Sequence, residues 1–73
     1  MKAMKREEFL DFCKGKKVYT DNEAIKEFYG NNYKTFRESV NHIYFEQTAY
    51  HDTNYYYDKE KNIIIEESYY IGD

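Results

Sequence analysis

Apolar residues recur at helical spacing through the first half of the chain and alternate with polar ones through the second. Phe9, Phe12 and Cys13, with Leu10 beside them, predict a helix over about residues 5–14. Lys14-Gly15-Lys16-Lys17 ends it, because cations suit a helix C-terminus and Gly15 can take the left-handed closing conformation. The run Lys17-Val18-Tyr19-Thr20 is short, β-branched and aromatic, which predicts a brief strand. Thr20-Asp21-Asn22-Glu23 has the form of a capping box: a hydroxyl at the cap and a glutamate three residues on. It predicts a second helix over about 21–29, with Ala24, Ile25, Phe28 and Tyr29 as its apolar face and Gly30 as its stop. Asn31 or Asn32 caps a third helix over about 32–42, whose apolar face carries Tyr33, Phe36, Val40 and Ile43.

Beyond that the period changes to two. Ile43, Phe45 and Ala49 fall on one side of a segment reaching Tyr50, and His51-Asp52-Thr53-Asn54 has turn composition. Asn54–Asp58 and Asn62–Ile71 predict two strands joined by the charged turn Asp58-Lys59-Glu60-Lys61. Ile63, Ile65, Tyr69 and Ile71 share one face of the last strand. Glu67 interrupts that face, so a bulge or register change is expected there. The fold expected is a single α+β domain over residues 1–73. Three short helices precede a two- or three-stranded antiparallel sheet.

With 73 residues, the chain supports one core. Its single cysteine, Cys13, forms no intrachain disulfide, which points to a reducing, cytoplasmic setting. No apolar run approaches the roughly 20 residues of a membrane span, and no apolar stretch follows the basic start to make a signal peptide. Met4 is a second candidate start beside Met1. Charged residues make up 34% of the chain, a composition that favours disorder; fifteen Tyr and Phe residues supply a core in spite of it. Part of the tyrosine excess follows from AT-rich codons, which Lys, Asn, Ile, Tyr and Phe share. The charge is uneven. Residues 1–43 carry a net +2 and three tyrosines, whereas residues 44–73 carry a net −5 and seven. Such a half repels phosphate backbones.

Catalytic signatures are missing. There is no glycine-rich phosphate loop and no serine in a nucleophile elbow. The adjacent Glu66 and Glu67 point to opposite faces of a strand and make no acid–base pair. His42, His51, Asp52 and Cys13 match no metal-ligand spacing, and Cys13 is read as a small core residue. The expectation is a protein without enzymatic activity, cofactor or metal.

Two surfaces carry the functional reading. In the first, Ile25, Tyr29, Gly30 and Phe36 match the buried and turn positions of a helix-turn-helix. The order helix, strand, helix, helix, hairpin over about residues 6–67 resembles the winged-helix family of DNA-binding domains. That resemblance implies a regulator whose recognition helix presents Lys34, Arg37 and Asn41 to DNA. Lys26, Asn31 and Ser39 depart from the family's preferences, and a wing with Asp58, Glu60, Glu66 and Glu67 against Lys59 and Lys61 is acidic where DNA needs it basic.

The second surface is the hairpin itself. Tyr55, Tyr56, Tyr57, Asp58, Glu60, Glu66, Glu67, Tyr69 and Tyr70 predict an acidic, tyrosine-rich site for a protein partner. Size, acidity and composition resemble small phage- or mobile-element-encoded inhibitors such as anti-CRISPR proteins. The resemblance implies a stoichiometric inhibitor or adaptor that binds a nucleic-acid-handling enzyme in its basic groove. Direct nucleic-acid binding and membrane binding are not expected. Self-association through a free strand edge is left open.

Overall fold

The capping box forms. In the computed structural model, which describes residues 3–72, Thr20 Oγ1 accepts the Glu23 N–H at 3.3 Å and Glu23 accepts the Thr20 N–H at 3.0 Å. This reciprocal pair opens helix α2 (Asp21–Phe28). Gly30 (φ +61°) and Asn31 (φ +58°) then take left-handed conformations, which reverse the chain within a few residues. Asn32 caps the next helix by accepting the Thr35 N–H at 3.0 Å. That helix, α3, covers only Tyr33–Ser39, and Val40 is already extended. Met1 and Lys2, which belong to the basic start and include one of the two candidate starts, and Asp73 lie outside the described residues.

Helix α1 (Arg6–Cys13) precedes strand β1 (Lys17–Thr20), as the sequence predicts. After α3 come β2 (Asn41–Gln47), β3 (His51–Asp58) and β4 (Ile63–Tyr70). The described residues thus form an α+β fold of three helices and one four-stranded sheet in the order β1-β4-β3-β2. The sheet is mixed: β2, β3 and β4 are antiparallel, and β1 joins β4 in parallel. The expected two- or three-stranded antiparallel sheet is therefore incomplete. The signal for the difference is Ile63-Ile64-Ile65, all buried. A strand apolar on both sides needs cover on both faces, a property of interior strands.

Helices supply that cover. On one face α2 and α3 pack Ala24, Tyr29 and Phe36 against Tyr56, Ile63 and Ile65. On the other, α1 packs Phe9 against Ile43 and Tyr44, with Phe12, Cys13, Tyr55 and Tyr57 around them. Ile43 is thus a strand residue facing α1, and does not belong to the apolar face of α3. The register slips between His42 and Tyr44, where the sheet has its irregularity. Glu67 causes none: β3 and β4 pair without interruption from His51–Tyr70 to Asp58–Ile63. His51–Asn54, of turn composition, is strand. Pairing on both sides outweighs local preference, and the chain reverses earlier, where the Thr48 N–H donates to His51 O at 2.9 Å.

Asp58 closes the β3–β4 turn and is 2% exposed. Tyr29 Oη donates to it at 2.7 Å and the Lys61 N–H at 3.0 Å, with Lys61 Nζ at 3.7 Å. Burial alone would raise its carboxyl; the Tyr29 hydroxyl and Lys61 outweigh that and hold it below the usual carboxylate range. A depressed folded value means that Asp58 stabilises the fold above its unfolded pKa, and that this contribution fades as pH falls through the folded one. Tyr29→Phe should therefore flatten the acid limb of a stability–pH curve measured by urea unfolding. An acid limb as steep as the wild type's would show that this pair is not what acid breaks.

Candidate functional site

The sheet divides the predicted tyrosine surface in two. Tyr55 and Tyr57 face α1. The Tyr55 ring lies 4.6 Å from Phe9, and its hydroxyl donates to Glu66 at 3.1 Å. Burial and Glu66 push that hydroxyl up to about 12. Tyr57 meets Phe12 edge-on at 4.8 Å and donates to Asn62. Tyr56 faces the other way and is 6% exposed. Asp58 is buried in its turn, and Glu60 stands exposed beside it, at the opposite end of the sheet from Tyr69 and Tyr70. The three consecutive tyrosines are therefore packing residues, and Asp58 and Glu67 are buried polar groups.

What the fold does bring together is one end of the sheet, around the β2–β3 turn. Strand alternation places Tyr56, Asn54 and Asp52 of β3 on the α2–α3 face, beside Ile65, Glu67 and Tyr69 of β4. Glu67 is 4% exposed and accepts from Tyr56 at 3.1 Å and from Tyr33 at 3.3 Å. Arg37 donates to the Tyr56 hydroxyl, its guanidinium 5.0 Å from the centre of that ring. A buried carboxylate and a guanidinium thus share one phenol, so neither charge is left bare. Partial burial and the Glu67 carboxylate push the Tyr69 hydroxyl up to about 12. His42 Nε2 lies 2.8 Å from Asn54 Oδ1 on the same face.

Helix cover stops short of this end. Among the described residues eight large apolar side chains are exposed; Tyr33, Phe45 and Tyr69 stand at this end on the α2–α3 face, Tyr70 on the α1 face, and Tyr50 and Ile71 in the adjoining turn and strand end. Glu46 and Glu66 add carboxylates on the α1 face. The sequence pattern puts Tyr33 on the apolar face of α3, Phe45 on one side with Ile43 and Ala49, and Asp52 in a turn. Only the pairing partners, distant in sequence, put them at the rim. The would-be DNA face separates: Lys34 is exposed on α3, Arg37 is engaged by Tyr56, and Asn41 begins β2 beyond the helix.

Cys13, the last residue of α1, is half-buried, and that burial raises its thiol. Among the described residues no three His, Cys, Asp or Glu side chains stand close enough to share a metal ion, and no helix is long and apolar enough to cross a membrane. The arrangement offers a rim of aromatic rings with carboxylates among them. No protein family, curated protein or solved structure matches the chain.

Proposed function

We propose that this chain is a non-enzymatic, protein-binding inhibitor or adaptor that docks a basic protein surface through the open end of its sheet. The exposed aromatic side chains at that end, Tyr33, Phe45 and Tyr69 on one face of the sheet and Tyr70 on the other, carry the reading. Exposed aromatic side chains are enriched at interaction sites, and tyrosine buries much area at low entropic cost. The acidity of residues 44–73 adds the sign of the partner. A basic groove built for phosphates has the complementary charge, so the chain fits a phage-type inhibitor, of the anti-CRISPR kind, of a nucleic-acid-handling enzyme.

The test is a plaque assay in a host whose CRISPR immunity blocks an infecting phage. Wild type should restore plaques. A Phe45→Ser/Tyr70→Ser variant with an unchanged unfolding midpoint should not. Equal restoration by the variant would move the docking surface elsewhere, and no restoration against any CRISPR type would remove this target class. A winged-helix-like DNA-binding regulator using Lys34, Arg37 and Asn41 is the competing reading. Fluorescence anisotropy of a random DNA duplex decides it. No binding is expected even at low salt; salt-sensitive binding lost in Lys34→Ala/Arg37→Ala would put that reading first.

A further inference from the structure

We infer that the open end takes an arginine side chain of its partner, held between the Asp52 carboxylate and the Tyr69 ring. The inference rests on the docking reading above and gives it a chemistry. Asp52 lies on β3 opposite Gln47 of β2 and Tyr69 of β4. Its Oδ1 is closed off from solvent and has no hydrogen-bond partner. A carboxylate oxygen in that state destabilises the free chain, and a donor brought by a partner relieves it. Asp52 as a whole is only half-buried, and its register neighbours Gln47 and Tyr69 are both exposed, so the residue stands at the solvated end of the face.

The chain shows the ring half of this arrangement farther along the same face. There the Arg37 guanidinium lies over the Tyr56 and Tyr33 rings, 5.0 and 5.8 Å from their centres, and donates to a phenol. At the next position Tyr69 supplies the ring, half-exposed Phe45 stands at the rim and Asp52 supplies the acceptor. Among the described residues no lysine or arginine is paired with Asp52. A planar guanidinium can lie on a ring and donate edge-on to a carboxylate at once, which an ammonium cannot. A second copy of this chain is a poor source. Its only two arginines are Arg6, paired with Glu46, and Arg37, held by Tyr56.

The experiment is a titration of isotope-labelled protein with an acetylated oligo-arginine peptide, followed by amide shifts. Oligo-lysine and oligo-citrulline of equal length are the controls. Oligo-arginine should shift Asp52, Tyr69 and Phe45, bind more tightly than oligo-lysine, and lose about tenfold in affinity in Asp52→Asn, the weight of one charge-assisted hydrogen bond. The inference is overturned if Asp52→Asn binds as wild type does, if the shifts map elsewhere, or if the two cationic peptides bind alike. Plaques that depend on Phe45 and Tyr70 without arginine selectivity would overturn the arginine anchor and keep the docking surface. Arginine-selective binding at Asp52 by a chain that restores no plaques would support the anchor and overturn the inhibitor reading.

Discussion

Glu67→Lys is expected to unfold the chain or leave it near its midpoint in water, while Glu60→Lys changes stability by less than about 0.5 kcal/mol. Both replace a carboxylate of the acidic hairpin with an ammonium. Glu60 is an exposed turn residue. Glu67 is 4% exposed and its oxygens take the hydroxyls of Tyr56 and Tyr33, with Arg37 on the far side of Tyr56. Lysine there removes the acceptor of two phenols and sets a second cation beside Arg37. Each buried polar group left without its partner costs about 1–3 kcal/mol, and an unpaired ammonium at a buried position costs more. The whole stability of a 73-residue domain is about 4–11 kcal/mol. Urea unfolding followed by circular dichroism reads the difference, since the chain has no tryptophan. Glu67→Gln, which keeps the shape and one acceptor oxygen, should fall between the two. A Glu67→Lys midpoint equal to wild type would mean that the carboxylate is not buried as described.

Why Glu67 misleads a reader of the sequence is instructive. Strand parity puts it on the same face as Ile63 and Ile65, and that parity is correct. The expectation of a bulge came from treating a carboxylate as unfit for that face. Its partners, Tyr33 and Arg37, arrive from α3, some thirty residues earlier, and no local pattern announces them. Signals confined to a few residues mostly held: the capping box at Thr20, the left-handed Gly15, the stop at Gly30 and the charged turn after Asp58, with the turn composition of His51–Asn54, overridden by strand pairing, as the exception. Signals that depend on long-range pairing did not. The parallel partnership of β1 with β4 joins segments more than forty residues apart, and it converts a hairpin edge into an interior strand.

The site follows the same division. Its acidity and its tyrosine content were legible from residues 44–73, because composition needs no geometry. Which tyrosines face solvent was not. Alternation sorts side chains to two faces, but it identifies the solvated face only when one face is bare. Here helices cover both, so Tyr55, Tyr56 and Tyr57 are all largely enclosed. Exposure is then decided along the strands instead of across them. The helices reach Tyr56 and Glu67 and leave Tyr69, Tyr70 and Phe45 beyond their ends.

Phe36→Ala should remove about 3–5 kcal/mol of stability, the range for truncating a buried phenylalanine. Phe36 is fully buried, and its ring meets Tyr29 at 5.5 Å, Tyr33 at 5.8 Å and Tyr56 edge-on at 5.6 Å. A seven-residue helix such as α3 has little stability of its own. Phe36 is its only buried residue, so this ring fixes where α3 sits on the sheet. The consequence reaches the open end, because α3 also carries Tyr33 and Arg37 to Glu67. Phe36→Leu refills most of the volume and should lose much less. If the fold of the alanine variant survives in a stabilising salt such as sulfate, oligo-arginine binding at Asp52 should persist. Asp52 and Tyr69 are carried by β3 and β4, which α3 does not build. Loss of that binding in a folded Phe36→Ala chain would instead make α3 part of the arginine site. A urea midpoint within experimental error of wild type would show that Phe36 does not anchor the helix at all.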